Sequence, residues 1–125
     1  MIHGFVKNVP YELEECARFV KERFGLPAVK VFGDLRRVVR KAAVSGGSGK
    51  SMVSSAVSKG AQVLITGDID HHKGIDAAEQ GLAVIDAGHY GVEKLFIPYM
   101  VNYLQERLEK VDVVGQPVKQ PFLYI

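Results

Sequence analysis

The chain carries one cysteine, Cys16, among 125 residues. No internal disulfide can form, so packing alone must hold the fold, and a lone thiol suits a reducing compartment. No apolar run approaches the roughly 20 residues that span a bilayer. The N-terminal MIHGFVKNV has no signal-peptide pattern. The expectation is a cytoplasmic domain with no membrane partner. Charge of one sign is also scarce. A net +2 is too small an excess to argue for nucleic acid or an anionic lipid surface. A complete phosphate loop is missing too. GGSGKS supplies Gly49-Lys50-Ser51, but a P-loop also needs glycine five residues before that glycine, and Val44 stands there.

What is present is ordinary for a globular domain. Hydrophobic residues make up 47% and charged residues 24%, enough for one core in one domain over residues 1–125. Ile2 to Val9 reads as a short strand ended by Pro10. Glu12 to Phe24 reads as a helix with Leu13, Cys16, Ala17, Val20 and Phe24 on its apolar stripe. Gly25 and Pro27 stop it. Ala28 to Phe32 is a second strand and Val38 to Ser45 a third. The run Arg36 to Lys41 fits a turn and a strand edge, where charge also suppresses edge pairing.

Next come a glycine loop, Gly46 to Gly49, a helix over Lys50 to Lys59, a fourth strand over Gln62 to Thr66, and the polar loop Gly67 to His72. A short helix over Gly74 to Gln80 leads to a fifth strand, Leu82 to Ile85. A long helix from His89 to Lys110 follows. It is expected to turn Val92, Leu95, Phe96, Tyr99, Met100, Tyr103, Leu104 and Leu108 inward, with Pro98 kinking or interrupting it. Val111 to Val114, a Gly-Gln-Pro linker and an edge strand over Pro121 to Ile125 complete the chain.

From Val38 onward, strand, glycine turn and helix recur. That alternation predicts an α/β fold with a mainly parallel or mixed sheet of about five strands and helices packed on it. The loops after the third, fourth and fifth strands then emerge at one edge and form a shared crevice.

Three motifs meet there. Gly46, Gly47 and Ser48 offer free backbone N–H groups of the kind that attract anions, or simply a tight packing turn. GDIDHH places Asp68, Asp70, His71 and His72 in six residues. It reads as a metal or substrate contact, or as a solvated loop in which Asp68 or Asp70 caps the next helix. His89 and Glu93, four apart, share a helix face and can bind one metal ion or work together in acid–base chemistry. The competing reading is a surface histidine with a glutamate that complements the helix dipole. A protonated histidine is disfavoured at a helix N-terminus, which predicts a neutral, metal-binding imidazole.

SGGSGKS, ITGDIDHH, VIDAGHYGVEKLFIPY and the closing QPFLYI occur in the order, and at about the spacing, of the Nif-three-like dinuclear-metal family, also labelled GTP cyclohydrolase 1 type 2 homologues. The resemblance covers essentially the whole chain and is to the family's C-terminal half. It implies an α/β half-fold, a site for two divalent metal ions (zinc, manganese or iron) and a ring-like homo-oligomer, commonly a hexamer. It also implies that His89 and Glu93 are metal ligands, while Asp68 and His72 line the pocket. His71 stands where the family usually has tyrosine. The family's N-terminal half supplies an adjacent histidine pair and an aspartate that have no counterpart here.

Two ligands are too few for a stable zinc site. The isolated chain is therefore expected to bind metal weakly or not at all: either it is an excised half, or a separate N-terminal-half partner is another polypeptide, or its own copies assemble differently. The function expected from the resemblance is a metal-dependent hydrolase-type site for a nucleotide or another phosphorylated or cyclic compound. The alternative is a metal-binding or interaction module with no activity of its own. A plain nucleotide-binding domain is disfavoured by the broken P-loop.

Overall fold

A computed structural model of the chain describes residues 3–6, 11–116 and 122–125. A five-stranded mixed sheet forms its centre, in the order β1 (His3–Val6), β5 (Ala42–Ser48), β6 (Val63–Gly67), β7 (Ala83–Asp86) and β3 (Lys30–Phe32). β5, β6 and β7 run parallel, while β1 and β3 close the edges antiparallel to β5 and β7. A two-stranded ladder joins β2 (Tyr11–Glu12) to β4 (Val38–Val39).

The two central strands are buried at every position, because helices cover both faces. Side-chain alternation divides them. Val63 and Ile65 of β6 and Ala83 and Ile85 of β7 pack with Leu13, Ala17 and Val20 of α1 (Leu13–Arg23). Leu64 and Val84 face the other way. They pack with Val53 and Ala56 of α2 (Val53–Ser58) and Ala77 of α3 (His71–Glu79). The α1 stripe thus lies where its 3.6-residue spacing puts it. Its first N–H groups have no side-chain cap and bond instead to the carbonyls of Arg37 and Leu35, which meets the need of a helix start by backbone alone.

Several expectations are corrected. The strand expected over Val38 to Ser45 is two strands in two sheets. At the break, Gln62 Oε1 accepts from the N–H groups of Arg40 (2.7 Å) and Lys41 (3.3 Å), so a side chain replaces the ladder there. The glycine loop is not a loop. Gly46 and Gly47 continue β5 to Ser48, with a register shift against β6 between Val44 and Ser48. A 3₁₀ turn, Gly49–Met52, follows before α2. α3 begins at His71 rather than Gly74, because the Asp70 carboxylate accepts from Lys73 N–H at 2.8 Å and caps it there.

The long helix is two, α4 (Gly88–Glu93) and α5 (Phe96–Arg107), separated at Lys94 and Leu95. Pro98 falls in the first turn of α5, where its missing N–H costs nothing. α5 contains no buried residue, and Phe96, Tyr99 and Tyr103 are exposed, as are Leu95 and Leu108. The periodicity is that of an amphipathic helix, but among the described residues no second layer covers its apolar side. Residues 111–116 and 122–125 form no strand. Ile2, Lys7 to Pro10 and Pro121 lie outside the described residues, as does Pro117 of the expected linker. Among the described residues no helix is long and apolar enough to cross a membrane.

Candidate functional site

The parallel order of β5, β6 and β7 brings their C-terminal ends to one edge, as the alternation predicted. Asp86 is the last residue of β7 and is 5% exposed. Its carboxylate turns back under the edge. Oδ1 accepts from Asp68 N–H at 2.9 Å and from Gly88 N–H at 2.8 Å, and Oδ2 accepts from Ile69 N–H at 3.0 Å. Lys30 Nζ lies 3.5 Å from Oδ2. One buried charge therefore ties together the loop after β6, the turn after β7 and the edge strand β3. A buried carboxylate needs such a set of donors to offset its lost hydration.

α4 then packs against β5 and β6. It approaches so closely that a Cβ on Gly67 would stand 2.5 Å from the Gly88 carbonyl oxygen and 2.6 Å from Val92 Cγ2. Gly67 is thus required by space. Gly88, with φ +74°, is required by conformation. The turn into α4 places His89 at its second residue and Glu93 at its last.

The side chains of Asp68, His89 and Glu93 form a chain above this base. His89 Nδ1 lies 2.9 Å from Asp68 Oδ2, and His89 Nε2 lies 2.7 Å from Glu93 Oε1. All three are about half exposed. Ion pairs in such a setting contribute between nothing and about 1 kcal/mol each. Their attraction cannot be what fixes the geometry; the backbone held by Asp86 does that. The imidazole at the helix start is thus flanked by a carboxylate at each ring nitrogen, and which nitrogen donates depends on the tautomer.

The other candidates fare differently. His72 is exposed on the first turn of α3, and its ring meets His71 edge-on at 5.5 Å; it does not join the cluster. Gly46 is half-buried with open space around its Cα. Gly47 and Ser48 are described by backbone alone, with Ser48 paired to Gly67 beside Asp68. The anion reading of this segment loses its support, because the glycines are strand and no long helix opens there. Asp70 serves as the cap of α3. Its carboxyl is held below the usual range, chiefly by the hydrogen bond from Lys73 N–H. Two residues were passed over in the sequence. Asp86 lies just past the expected fifth strand, and Lys30 falls inside the expected second strand, neither with a role assigned. The available signal was a carboxylate closing an otherwise apolar strand.

Whether a divalent metal suits this edge is a question of donors. His89 Nε2 and Glu93 Oε1 are nitrogen and oxygen donors of the kind zinc, manganese and iron accept, on one face and within reach of one ion. They fit as part of a ligand set. They do not complete one: among the described residues no group of three or more His, Cys, Asp or Glu side chains is placed to hold a metal.

The chain is similar to known proteins over nearly its whole length. It is 42% identical over 122 residues to the GTP cyclohydrolase 1 type 2 homolog of Halalkalibacterium halodurans, covering 90% of this chain and 32% of that protein. It is 36% identical over 110 residues to the protein of the same name from Listeria monocytogenes, covering 84% of this chain and 29% of that one. The crystal structure of a Bacillus cereus protein related to NIF3 superposes with a TM-score of 0.86 at 34% identity, over 98% of this chain and 35% of that chain. This chain thus spans about a third of the length of the relatives it matches. The model of the Duf34/NIF3 (NGG1p interacting factor 3) family matches residues 3–121, and the chain belongs to that family.

Proposed function

We propose that this chain contributes His89 and Glu93 to a divalent-metal site whose remaining ligands come from outside its own described residues. The observation that carries the reading is the pair itself. Nε2 and Oε1 stand 2.7 Å apart on one helix face, with the other ring nitrogen occupied by a carboxylate. A metal-binding histidine has this arrangement: one nitrogen toward the ion and the other hydrogen-bonded behind it. When bound, the metal would polarise a substrate oxygen and lower the pKa of a water, the chemistry of a hydrolase acting on a nucleotide or another phosphorylated or cyclic compound. Glu93 and His89 hold the donor atoms in place, and Asp68 shields the back of the ring.

The chain's coverage of its relatives supports the incomplete ligand set. So does the exposed apolar side of α5, because a second copy or a separate N-terminal-half partner would bring both further ligands and a cover for that helix. The reading without catalysis, a metal-binding or interaction module, rests on the same pair, since membership of a family does not establish a reaction.

Calorimetric titration with zinc and with manganese tests the proposal. Weak binding or none by this chain alone is expected, with whatever binding there is lost in His89→Ala. Tight binding by the chain alone would contradict an incomplete site, and unchanged affinity in His89→Ala would remove His89 from it. Turnover of a nucleotide panel by the assembled protein, abolished in Glu93→Gln, separates the enzyme from the binding module.

A further inference from the structure

Asp68 is the one residue other than glycine with positive φ among the described residues, at 51°. Aspartate tolerates this left-handed conformation better than most side chains, but it is still a minority state that the surroundings must enforce. Asp86 enforces it. Its carboxylate takes the N–H of Asp68 and of the next residue, Ile69. It also takes the N–H of Gly88, directly before His89. Both partners of the 2.9 Å contact between Asp68 Oδ2 and His89 Nδ1 are therefore mounted on one buried group. An incidental surface ion pair between a loop and a helix has no such common anchor.

We infer that Asp68 is a positioning residue for His89. It accepts the Nδ1 proton, fixes the ring plane and leaves the Nε2 lone pair for the metal position that His89 shares with Glu93. The inference rests on the metal reading for its purpose, but the Asp68–His89 interaction stands without it. Glu93 competes for the ring proton from the Nε2 side at 2.7 Å. Asp68 is the group that pulls it to Nδ1, the tautomer that binds metal through Nε2. Loss of such a hydrogen-bonded partner typically weakens metal binding by about 10–100-fold.

Asp68→Gly is the informative variant. Glycine accepts φ near 51° without strain and removes the acceptor, while Asp68→Asn keeps both the backbone conformation and an acceptor oxygen. Nitrogen-15 spectra of histidine-labelled, metal-free chain, with the ring neutral, report the tautomer. Asp68→Gly is expected to move the His89 proton from Nδ1 toward Nε2, and Asp68→Asn to restore part of the wild-type balance. Zinc affinity should fall by about 10–100-fold in Asp68→Gly and by less in Asp68→Asn. A tautomer balance that Asp68→Gly leaves unchanged would overturn the inference. So would a variant that binds zinc as the wild type does. If His89→Ala leaves zinc affinity unchanged, the metal reading fails and the metal-free tautomer shift still decides whether Asp68 orients His89.

Discussion

Replacing Asp86 by alanine should cost more than any single change in the exposed cluster above it. The carboxylate accepts three backbone N–H bonds and lies 3.5 Å from Lys30 Nζ. Each hydrogen bond to a charged group contributes about 1.5–3 kcal/mol. Simple addition overstates the loss, because the N–H groups of Asp68 and Gly88 are only partly buried and take water when released, whereas that of Ile69 is buried. The loss for Asp86→Ala is therefore about 3–5 kcal/mol, the range found when one partner of a buried charged network is removed. For a domain of this size that corresponds to roughly 10–20 °C in Tm. Asp86→Asn keeps one acceptor oxygen without the charge and should lose about half as much. Urea unfolding followed by circular dichroism measures both. A loss under about 1 kcal/mol in Asp86→Ala would refute the claim that this carboxylate holds the edge together.

Other perturbations separate the remaining ideas. Gly67→Ala places a methyl group against the Gly88 carbonyl and Val92, and should destabilise by about 1–3 kcal/mol as α4 is pushed off the sheet; a urea midpoint equal to wild type would show that α4 has room to spare. Asp70, with its carboxyl held down in the folded state by Lys73 N–H, contributes stability that is present above its unfolded pKa. That contribution is lost as pH falls through its folded pKa, so Asp70→Asn should flatten the acid limb of the stability profile, and parallel profiles would count against the cap. Burial pushes the Cys16 thiol up, so disulfide reagents should modify it slowly in the folded chain at neutral pH and much faster in denaturant. Equal rates in both states would contradict its half-buried position on α1.

Much of the sheet was legible because its signal is local. Val63 to Gly67 and Ala83 to Asp86 are short apolar runs bounded by glycine or small residues. A parallel order for them follows once a helix must fit between. The α1 stripe is equally local, since one helix face needs only spacing to be recognised. The third strand misled because Val38 to Ser45 is apolar enough to look continuous, while the break depends on Gln62, a residue far along the chain that claims two N–H groups. α5 misled for a related reason. An apolar periodicity states that a face wants cover, not that the same chain supplies it.

The sequence by itself determined the alternation of strands and helices, the edge at which the loops gather, and the four-residue spacing of His89 and Glu93 that sets them on one face. Each is a property of neighbours within a few positions. Only the tertiary structure decided that Asp68 meets His89 across 21 residues, that Asp86 lies beneath both, and that His72 stays outside the cluster. Those outcomes depend on how parallel strands bring distant turns together and on which buried charge finds enough donors. Neither is encoded in spacing along the chain.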